Sequence, residues 1–345
     1  MNSFQLLQWF IAFVIIAFSS VANSQKITGT GASFPAPVYF KWAEAAHAAI
    51  GIDLTYKALS SGDGQDKIIN RNVDFGASDA PMDAARLASA NLLQFPTLIG
   101  GVVVIVNLPR VREGDLKLTG ETLAGIFAGK IRKWNDPRLA EVNPDISLPN
   151  LSIAPVHRYD ASGTSFVFTS YLSSVSADWK SAVGTGTNLH WPASAGARGN
   201  DGVATAVYIT RGGIGYVESA FATANHLTTA RLRNRSGIFV KPTTASFTAA
   251  AALGDWSKPN FNVSLVDTEG TTNWPIVSTT YILLPKNPQD TARSLAVMKF
   301  FDWAYRNGGA AAEQLDYVPV PAAVQDSVRT VWRTQVLSGG KPVFR

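Results

Sequence analysis

Short apolar runs alternate with small polar turns along this chain, and a segment with helical spacing follows most of these turns. A strand beginning at Ile27 leads through a glycine-rich turn into a helix that carries Val38, Trp42 and Ala46 on one face. The same order of strand, polar turn and helix recurs downstream. Alternating strands and helices predict an α/β fold, in which ligands bind beyond the carboxyl ends of the strands.

The spacing of apolar residues predicts further strands and helices. Strands are predicted at residues 52–56, 73–78, 98–108, 151–155, 214–217 and 276–284. Helices are predicted at residues 65–71, 121–127, 203–209, 245–252, 297–303 and 328–332. The aromatic residues fall mostly at core-like periods, so we interpret them as packing residues. In the glycine-rich stretch before the helix at 203–209, Asn200 or Asp201 is expected to act as the helix cap.

The most apolar stretch lies at the N-terminus, where residues 6–22 are nearly all apolar and no charged side chain precedes Lys26. Its centre, residues 9–18, has the length of a secretory signal and is short for a membrane span. Small residues follow it, as at a cleavage site, so residues 1–24 are predicted to be a signal peptide. An uncleaved anchor is the alternative, because the residues before the apolar centre lack the usual Lys or Arg.

Composition narrows the functional classes. A chain of 345 residues with 46% hydrophobic and 16% charged residues suits two packed domains. The net charge of +5 favours an anionic ligand, but Lys and Arg are scattered, so no nucleic-acid partner is predicted. The absence of cysteine excludes disulfides, thiolate metal sites and a cysteine nucleophile. The four histidines are dispersed without metal-ligand spacing, so neither a metal nor a cofactor is expected.

A polar turn near the middle of the chain has the features of an anion site. Ser162 or Thr164 is placed to cap the apolar helix that follows, and Gly163 allows a backbone N–H to approach a ligand closely. The free N–H groups of a first helical turn and the helix dipole attract anions, and Arg158 adds a planar fork of donors. Taken alone, the turn equally suits an ordinary capped helix with an Arg158–Asp160 pair on a surface loop.

Three further positions carry polar groups at strand ends. Ser33 lies at or beside the start of the first helix with the Phe34 N–H free, and Ser61 lies in the second polar turn. Asp79 lies at the tip of a short strand. A carboxylate facing a dianion is repulsive unless the anion has a proton to donate, which hydrogen phosphate has and sulfate lacks. Asp79 among donors would therefore reject sulfate.

These segments, together with others in the same order along essentially the whole mature chain, closely resemble one family. It comprises the phosphate-binding proteins of bacterial high-affinity phosphate ABC importers. The resemblance implies a two-lobed periplasmic binding protein fold of type II, with the ligand in the cleft between the lobes. The segments that carry it are residues 31–39, 73–81, 162–172, 199–202, 214–218 and 299–305.

The resemblance also implies a function and a site. A periplasmic, monomeric, non-enzymatic receptor would bind inorganic phosphate and deliver it to the membrane permease of an ABC transporter. Lobe one would comprise residues 25–107 and 278–345, and lobe two residues 108–277. Asp160 matches the acid that pairs with the arginine of the site. The family's phosphate ligands fall on Ser33, Phe34, Ser61, Asp79, Arg158, Ser162, Gly163 and Thr164.

The chain departs from the family pattern at two positions, and two alternative functions stay open. Ser33 replaces a threonine found in some members and keeps the hydroxyl, whereas Asp63 adds a carboxylate to the second turn that would either weaken anion binding or point to solvent. A hydrolase is the first alternative, because Ser162, Asp79 and His157 supply suitable residue types, although their spacing matches no nucleophile elbow. The second alternative keeps the binding fold but changes the ligand to sulfate, molybdate or an organic phosphate.

Overall fold

The computed structural model describes residues 24–345, so the predicted signal peptide lies almost wholly outside the described residues. The helices are α1 (Ala36–Ile50), α2 (Ser61–Ile69), α3 (Ala84–Ser89), α4 (Gly120–Phe127), α5 (Pro137–Glu141), α6 (Gly163–Val175), α7 (Ala177–Ala182), α8 (Gly199–Ile209), α9 (Ser219–Ala224), α10 (Thr244–Ala251), α11 (Thr291–Asn307), α12 (Gly309–Glu313) and α13 (Ala322–Gln335), with a 3-10 helix at Pro259–Phe261. Within residues 24–345, none of these helices has the length and apolarity that a membrane crossing needs.

The strands are β1 (Gln25–Ala32), β2 (Ile52–Leu59), β3 (Phe75–Ser78), β4 (Leu92–Val106), β5 (Lys117–Leu118), β6 (Ala154–Arg158), β7 (Ala195–Ala197), β8 (Gly213–Glu218), β9 (Thr228–Thr229), β10 (Arg231–Arg233), β11 (Phe239–Val240), β12 (Leu265–Val266), β13 (Ile276–Pro285), β14 (Val318–Pro319), β15 (Leu337–Ser338) and β16 (Lys341–Pro342). The main sheet has the order β2-β1-β3-β13-β4-β8-β6-β7.

The buried strand β4 divides this sheet into two parts. Residues 92–101 of β4 pair antiparallel with β13, and residues 102–106 pair antiparallel with β8. We call β2, β1, β3, β13 and residues 92–101 the first half-sheet. Residues 102–106 with β8, β6 and β7 form the second half-sheet. A single strand therefore carries the chain from one half-sheet to the other.

Strand β4 begins six residues before the predicted start at residue 98. Pro96 lies inside it, opposite the register irregularity between Thr280 and Tyr281. A proline cannot donate to the ladder, and such irregularities are where sheets accommodate it. The proline is therefore accommodated inside the strand.

Aromatic residues fill the core beneath the first half-sheet, as predicted from their periods. The ring of Phe301 on α11 packs edge-on against Phe75, Phe95 and Tyr39, with centroids 5.2, 5.7 and 5.8 Å apart. All four side chains are fully buried. Edge-to-face packing of this kind adds stabilisation beyond the burial of apolar area.

Helices α2 and α8 begin four residues earlier than the sequence indicated, and helices α11 and α13 begin six residues earlier. Helix α2 begins at Ser61 because the side chain of Ser60 caps it, accepting from the Asp63 N–H at 3.1 Å. Helix α8 begins at Gly199, and its N-cap is Arg198, which makes no capping hydrogen bond with its side chain. The prediction that Asn200 or Asp201 caps α8 is therefore wrong, because both residues lie within the helix.

Candidate anion-binding site

The eight predicted site residues lie at four neighbouring turns, and all of them are buried. Three of these turns belong to the first half-sheet: the end of β1, the start of α2 and the tip of β3. The fourth leads from β6 into α6 and belongs to the second half-sheet. The site is therefore assembled between the half-sheets, from residues more than a hundred positions apart.

Ser61 joins the two sides of this site. Its Oγ accepts a hydrogen bond from the Asp79 N–H at 3.1 Å and another from the Gly163 N–H at 3.1 Å. The neighbouring Gly62 N–H also donates across the junction, to the Ala161 carbonyl at 2.9 Å. With both lone pairs of Ser61 used, its hydroxyl hydrogen is left for an acceptor in the site.

Arg158 is the buried cation of the site, and it is paired as predicted with Asp160. Its Nε donates to Asp160 Oδ1 at 2.7 Å, and its Nη2 donates to Asp160 Oδ2. Burial alone would raise the pKa of Asp160, but the hydrogen bonds and charge of Arg158 hold that pKa below its usual range. Nη1 of Arg158 lies 3.4 Å from Thr164 Oγ1, on the side of the predicted site. The pair thus fixes the guanidinium plane and keeps one edge for a ligand.

Asp79 is the carboxyl group of the site. Its Oδ1 accepts from Thr280 Oγ1 at 2.6 Å, and its side chain is buried. Burial raises the pKa of Asp79 to about 7, although Thr280, Arg158 and Ser61 act to lower it. Near neutral pH this carboxyl group therefore exchanges readily between an acceptor and a donor form.

The turn before α1 presents Ser33 and the Phe34 peptide group. The N-cap of α1 is Pro35, so Ser33 lies two residues before the cap rather than capping the helix with its side chain. Within residues 24–345 the Phe34 N–H has no hydrogen-bond acceptor. The Phe34 carbonyl accepts from the Tyr317 hydroxyl at 2.6 Å, which fixes this peptide plane.

The turn before α6 follows the predicted pattern. Ser162 is the N-cap of α6, and its Oγ accepts from the Ser165 N–H at 3.1 Å. Thr164 follows in the first turn and is buried. The Arg158 N–H donates to the Tyr216 hydroxyl at 3.1 Å, which also lies 2.6 Å from Ser165 Oγ. The helix entry is thereby held against β8 in one orientation.

Asp63, the extra acid of the second turn, is hydrogen-bonded to Ser60 in the same turn. Asp63 Oδ2 accepts from the Ser60 hydroxyl at 2.7 Å, and the Asp63 N–H donates back to Ser60 Oγ at 3.1 Å. The carboxylate is half-buried beside the N-terminus of α2, where the helix dipole stabilises a negative charge. Asp63 thus serves the start of this helix.

The residue types of the hydrolase alternative are not arranged for catalysis. His157 Nδ1 lies 2.7 Å from Ser194 Oγ, and its ring stacks on Trp191 at 4.9 Å. Burial lowers the pKa of His157. Ser162 instead uses its Oγ as a helix cap. Among residues 24–345, no group of three or more His, Cys, Asp or Glu side chains is arranged to hold a metal ion.

Three buried residues support the site without having been predicted as part of it. Asn200 contacts Ser33, and Tyr317 lies between the Phe34 carbonyl and Glu218. Glu218 Oε2 also accepts from the Ala220 N–H at 3.0 Å, while its Oε1 has no partner among the described residues. Glu218 ends the segment 214–218 that carries the family resemblance, where it is a single acid at the end of an otherwise apolar strand.

The hydrogen bonds around Tyr317 indicate the protonation state of Glu218. The Tyr317 hydroxyl has one hydrogen but two close oxygen neighbours, the Phe34 carbonyl at 2.6 Å and Glu218 Oε2 at 2.8 Å. Both contacts are hydrogen bonds only if Glu218 supplies a second hydrogen as a neutral acid. Burial raises the pKa of Glu218 well above its usual range, with Asp316 and Asp79 adding to the rise.

Several known proteins are similar to this chain. A PBP superfamily domain matches residues 18–307. The phosphate-binding protein PstS of Pasteurella multocida (strain Pm70) is 47% identical over 337 residues, covering 97% of this chain and 98% of that protein. The phosphate-binding protein PstS of Haemophilus influenzae is 46% identical over 316 residues, covering 91% of this chain and 95% of that protein.

Solved structures show the same fold. A high affinity periplasmic phosphate-binding protein, PfluDING, bound with phosphate has a TM-score of 0.72 at 22% identity and covers 92% of this chain and 98% of its own. A phosphate-binding protein from Stenotrophomonas maltophilia has a TM-score of 0.67 at 21% identity, covering 92% of this chain and 97% of its own. The predicted α/β periplasmic binding protein fold is confirmed.

Proposed function

The chain belongs to the phosphate-binding proteins of the PBP superfamily, and we propose that it binds inorganic phosphate and delivers it to the permease of an ABC transporter. It is a binding protein and not an enzyme. The proposed ligands are the eight buried residues of the site: Ser33, Phe34, Ser61, Asp79, Arg158, Ser162, Gly163 and Thr164. The Gly163 N–H, which donates to Ser61 Oγ in this structure, would exchange that partner for the anion.

The observation that carries this proposal is a buried set of donors with a single carboxyl group among them. Hydroxyls, backbone N–H groups and the free edge of Arg158 suit the acceptor oxygens of a tetrahedral anion. In its ionised form Asp79, with its partner Thr280 on one oxygen, needs a donor from the ligand. Hydrogen phosphate supplies that hydrogen, whereas sulfate would leave a buried acceptor unpaired and add repulsion.

The two half-sheets support a division into lobes that close on the ligand. We place residues 25–107 and 278–345 in lobe one and residues 108–277 in lobe two. The exchange of β4 partners between Gly101 and Val102 supports a crossing close to the first boundary. The closed form of a monomer would then present both lobes to the permease. Removal of residues 1–24 as a signal peptide would place the mature protein in the periplasm.

Calorimetric titration at a pH above the Asp79 pKa of about 7, with phosphate and with sulfate, tests this function on the wild type and on Asp79→Asn. The wild type is expected to bind phosphate tightly and sulfate not at all. In Asp79→Asn the amide can donate to a sulfate oxygen, so discrimination should fall. Binding of neither anion by the wild type would overturn the proposed function. Equal binding of both would keep the anion site but remove the role of Asp79.

A further inference from the structure

Asn200 lies beside the proposed phosphate ligands without being one of them. It is in the first turn of α8, and its side chain is fully buried. Its Oδ1 accepts from the Glu218 N–H at 3.2 Å, and its Nδ2 donates to Ser33 Oγ at 3.0 Å. The Asn200 N–H approaches the same Ser33 oxygen at 3.4 Å. The residue thus connects the end of β8 to the turn before α1, across the half-sheets.

The contact with Glu218 determines which way the Asn200 amide faces. A backbone N–H can only donate, so the oxygen of the side-chain amide must face Glu218. The nitrogen of the amide then faces Ser33, where it can only donate. A rotation of the amide by half a turn would place two donors against each other at Glu218. The orientation therefore follows from the contact with the Glu218 N–H.

This orientation restricts what the Ser33 hydroxyl can do. A serine hydroxyl has two lone pairs and one hydrogen. The backbone N–H and the side-chain Nδ2 of Asn200 both approach the Ser33 oxygen. The Ser33 hydroxyl hydrogen is then what remains to bond another partner. The Ser33 hydroxyl is thereby restricted to donating.

We propose that Asn200 is a positioning residue of the phosphate site, which fixes the Ser33 hydroxyl as a hydrogen-bond donor to the anion. This inference rests on the proposed function. An unoriented hydroxyl loses rotational freedom when the ligand binds, and that loss weakens binding. A pre-oriented donor avoids this cost and favours the unprotonated oxygens of the anion. Because Asn200 and Ser33 belong to different half-sheets, the orientation is set only when the two halves are together.

A double-mutant cycle in phosphate affinity tests the proposal, using Asn200→Ala, Ser33→Ala and the double variant. Asn200→Ala is expected to weaken phosphate binding by about tenfold or more, the scale of a lost hydrogen bond to a charged group. In the Ser33→Ala background, most of that loss should disappear, because Asn200 then has no hydroxyl to orient. General damage to the fold would instead add equally in both backgrounds.

Asn200→Asp provides a second variant of nearly the same shape. It keeps the acceptor for the Glu218 N–H but replaces the donor at Ser33 by an acceptor. The Ser33 hydrogen would then turn toward the new carboxylate and away from the anion. Asn200→Asp should therefore bind phosphate more weakly than Asn200→Ala does.

Asn143→Ala is the matched control. Asn143 is also buried, and it bonds only backbone groups, those of Lys117 and Leu139, at 2.8 Å. Its removal should lower thermal stability but leave phosphate affinity unchanged. Wild-type affinity in both Asn200 variants, or an undiminished loss in the Ser33→Ala background, would overturn this inference alone. A wild type that binds no phosphate would overturn the proposed function and this inference with it.

Discussion

Gly163 and Ser61 touch where the two half-sheets meet. The Gly163 N–H donates to Ser61 Oγ at 3.1 Å, and a Cβ placed on Gly163 would lie only 2.4 Å from that oxygen. The same Cβ would lie 2.7 Å from the Cβ of Asp79. Both distances are far shorter than a real carbon contact, so a side chain at position 163 must push the two sides apart.

Gly163→Ala is therefore expected to weaken phosphate binding while the protein still folds. Overpacking of this kind costs about 1–3 kcal/mol, and here the cost falls on the closed arrangement that binds the anion. Titration with phosphate measures the loss. Gly202→Ala is the control, since its nearest neighbour would be Ala197 at 3.6 Å, an ordinary contact. Equal affinities in the two variants would contradict a tight junction at Gly163.

Arg158→Lys tests the geometry of the buried ion pair. A lysine cannot make two bonds to Asp160 and still present a donor to the anion. We expect a loss of about 1.5–3 kcal/mol in the free energy of phosphate binding, measured by calorimetry.

Arg138→Lys is the matched control for that substitution. Arg138 also bonds an acid two residues away through Nε and Nη2, contacting Asp136 at 2.9 and 2.8 Å, but at an exposed position outside the site. Its replacement should leave phosphate affinity unchanged and alter stability by about 1 kcal/mol at most. A similar affinity loss in both variants would show that overall charge, not the buried fork, attracts the anion.

Asp79 makes the stability of the ligand-free protein dependent on pH. Burial raises the pKa of Asp79 in the folded protein to about 7 from its usual value of 3.8. As pH rises through this window, the unfolded chain loses the proton before the folded protein does, so stability falls. The full shift corresponds to about 4 kcal/mol, reached above pH 7. Asp79→Asn should be free of this loss.

Urea unfolding at pH 4 and pH 8, without phosphate, measures this dependence. The free energy of unfolding of Asp79→Asn, relative to the wild type, should increase over that interval. Other titrating groups cancel in the comparison, because both proteins contain them. A difference that is independent of pH would show that Asp79 titrates normally in the folded protein.

Tyr317→Phe tests the support of the Phe34 peptide group. The substitution removes the hydroxyl that contacts both the Phe34 carbonyl and Glu218, leaving both in a buried environment without this partner. Stability should fall by about 1–3 kcal/mol, and phosphate affinity should fall with it. Urea unfolding and calorimetric titration measure the two effects. The control is Tyr208→Phe, at an exposed position, which should change neither stability nor phosphate affinity. Unchanged affinity in Tyr317→Phe would show that the Tyr317 hydroxyl does not support the site.

Local patterns predicted the elements that local interactions determine. Ser162 caps α6 as expected, because a cap needs only the N–H three residues on. The strand predicted at 276–284 corresponds to Ile276–Pro285, and all of its residues are buried. The start of α2 was misjudged because Ser60 looked like part of a turn, although its bond to the Asp63 N–H makes it a cap.

The sequence by itself determined the α/β class, the family resemblance and the residue types of the site, because these depend on short motifs and their order. Only the tertiary structure decided how the polar groups are paired. Asn200 and Ser33 are 167 residues apart, and Tyr317 and Phe34 are 283 apart. No local pattern encodes such pairs. From the sequence alone, a polar residue at the start of a helix is interpreted as a cap, because its distant partner is not known. The proposed donor role of Ser33 follows from folding that brings Asn200 to it.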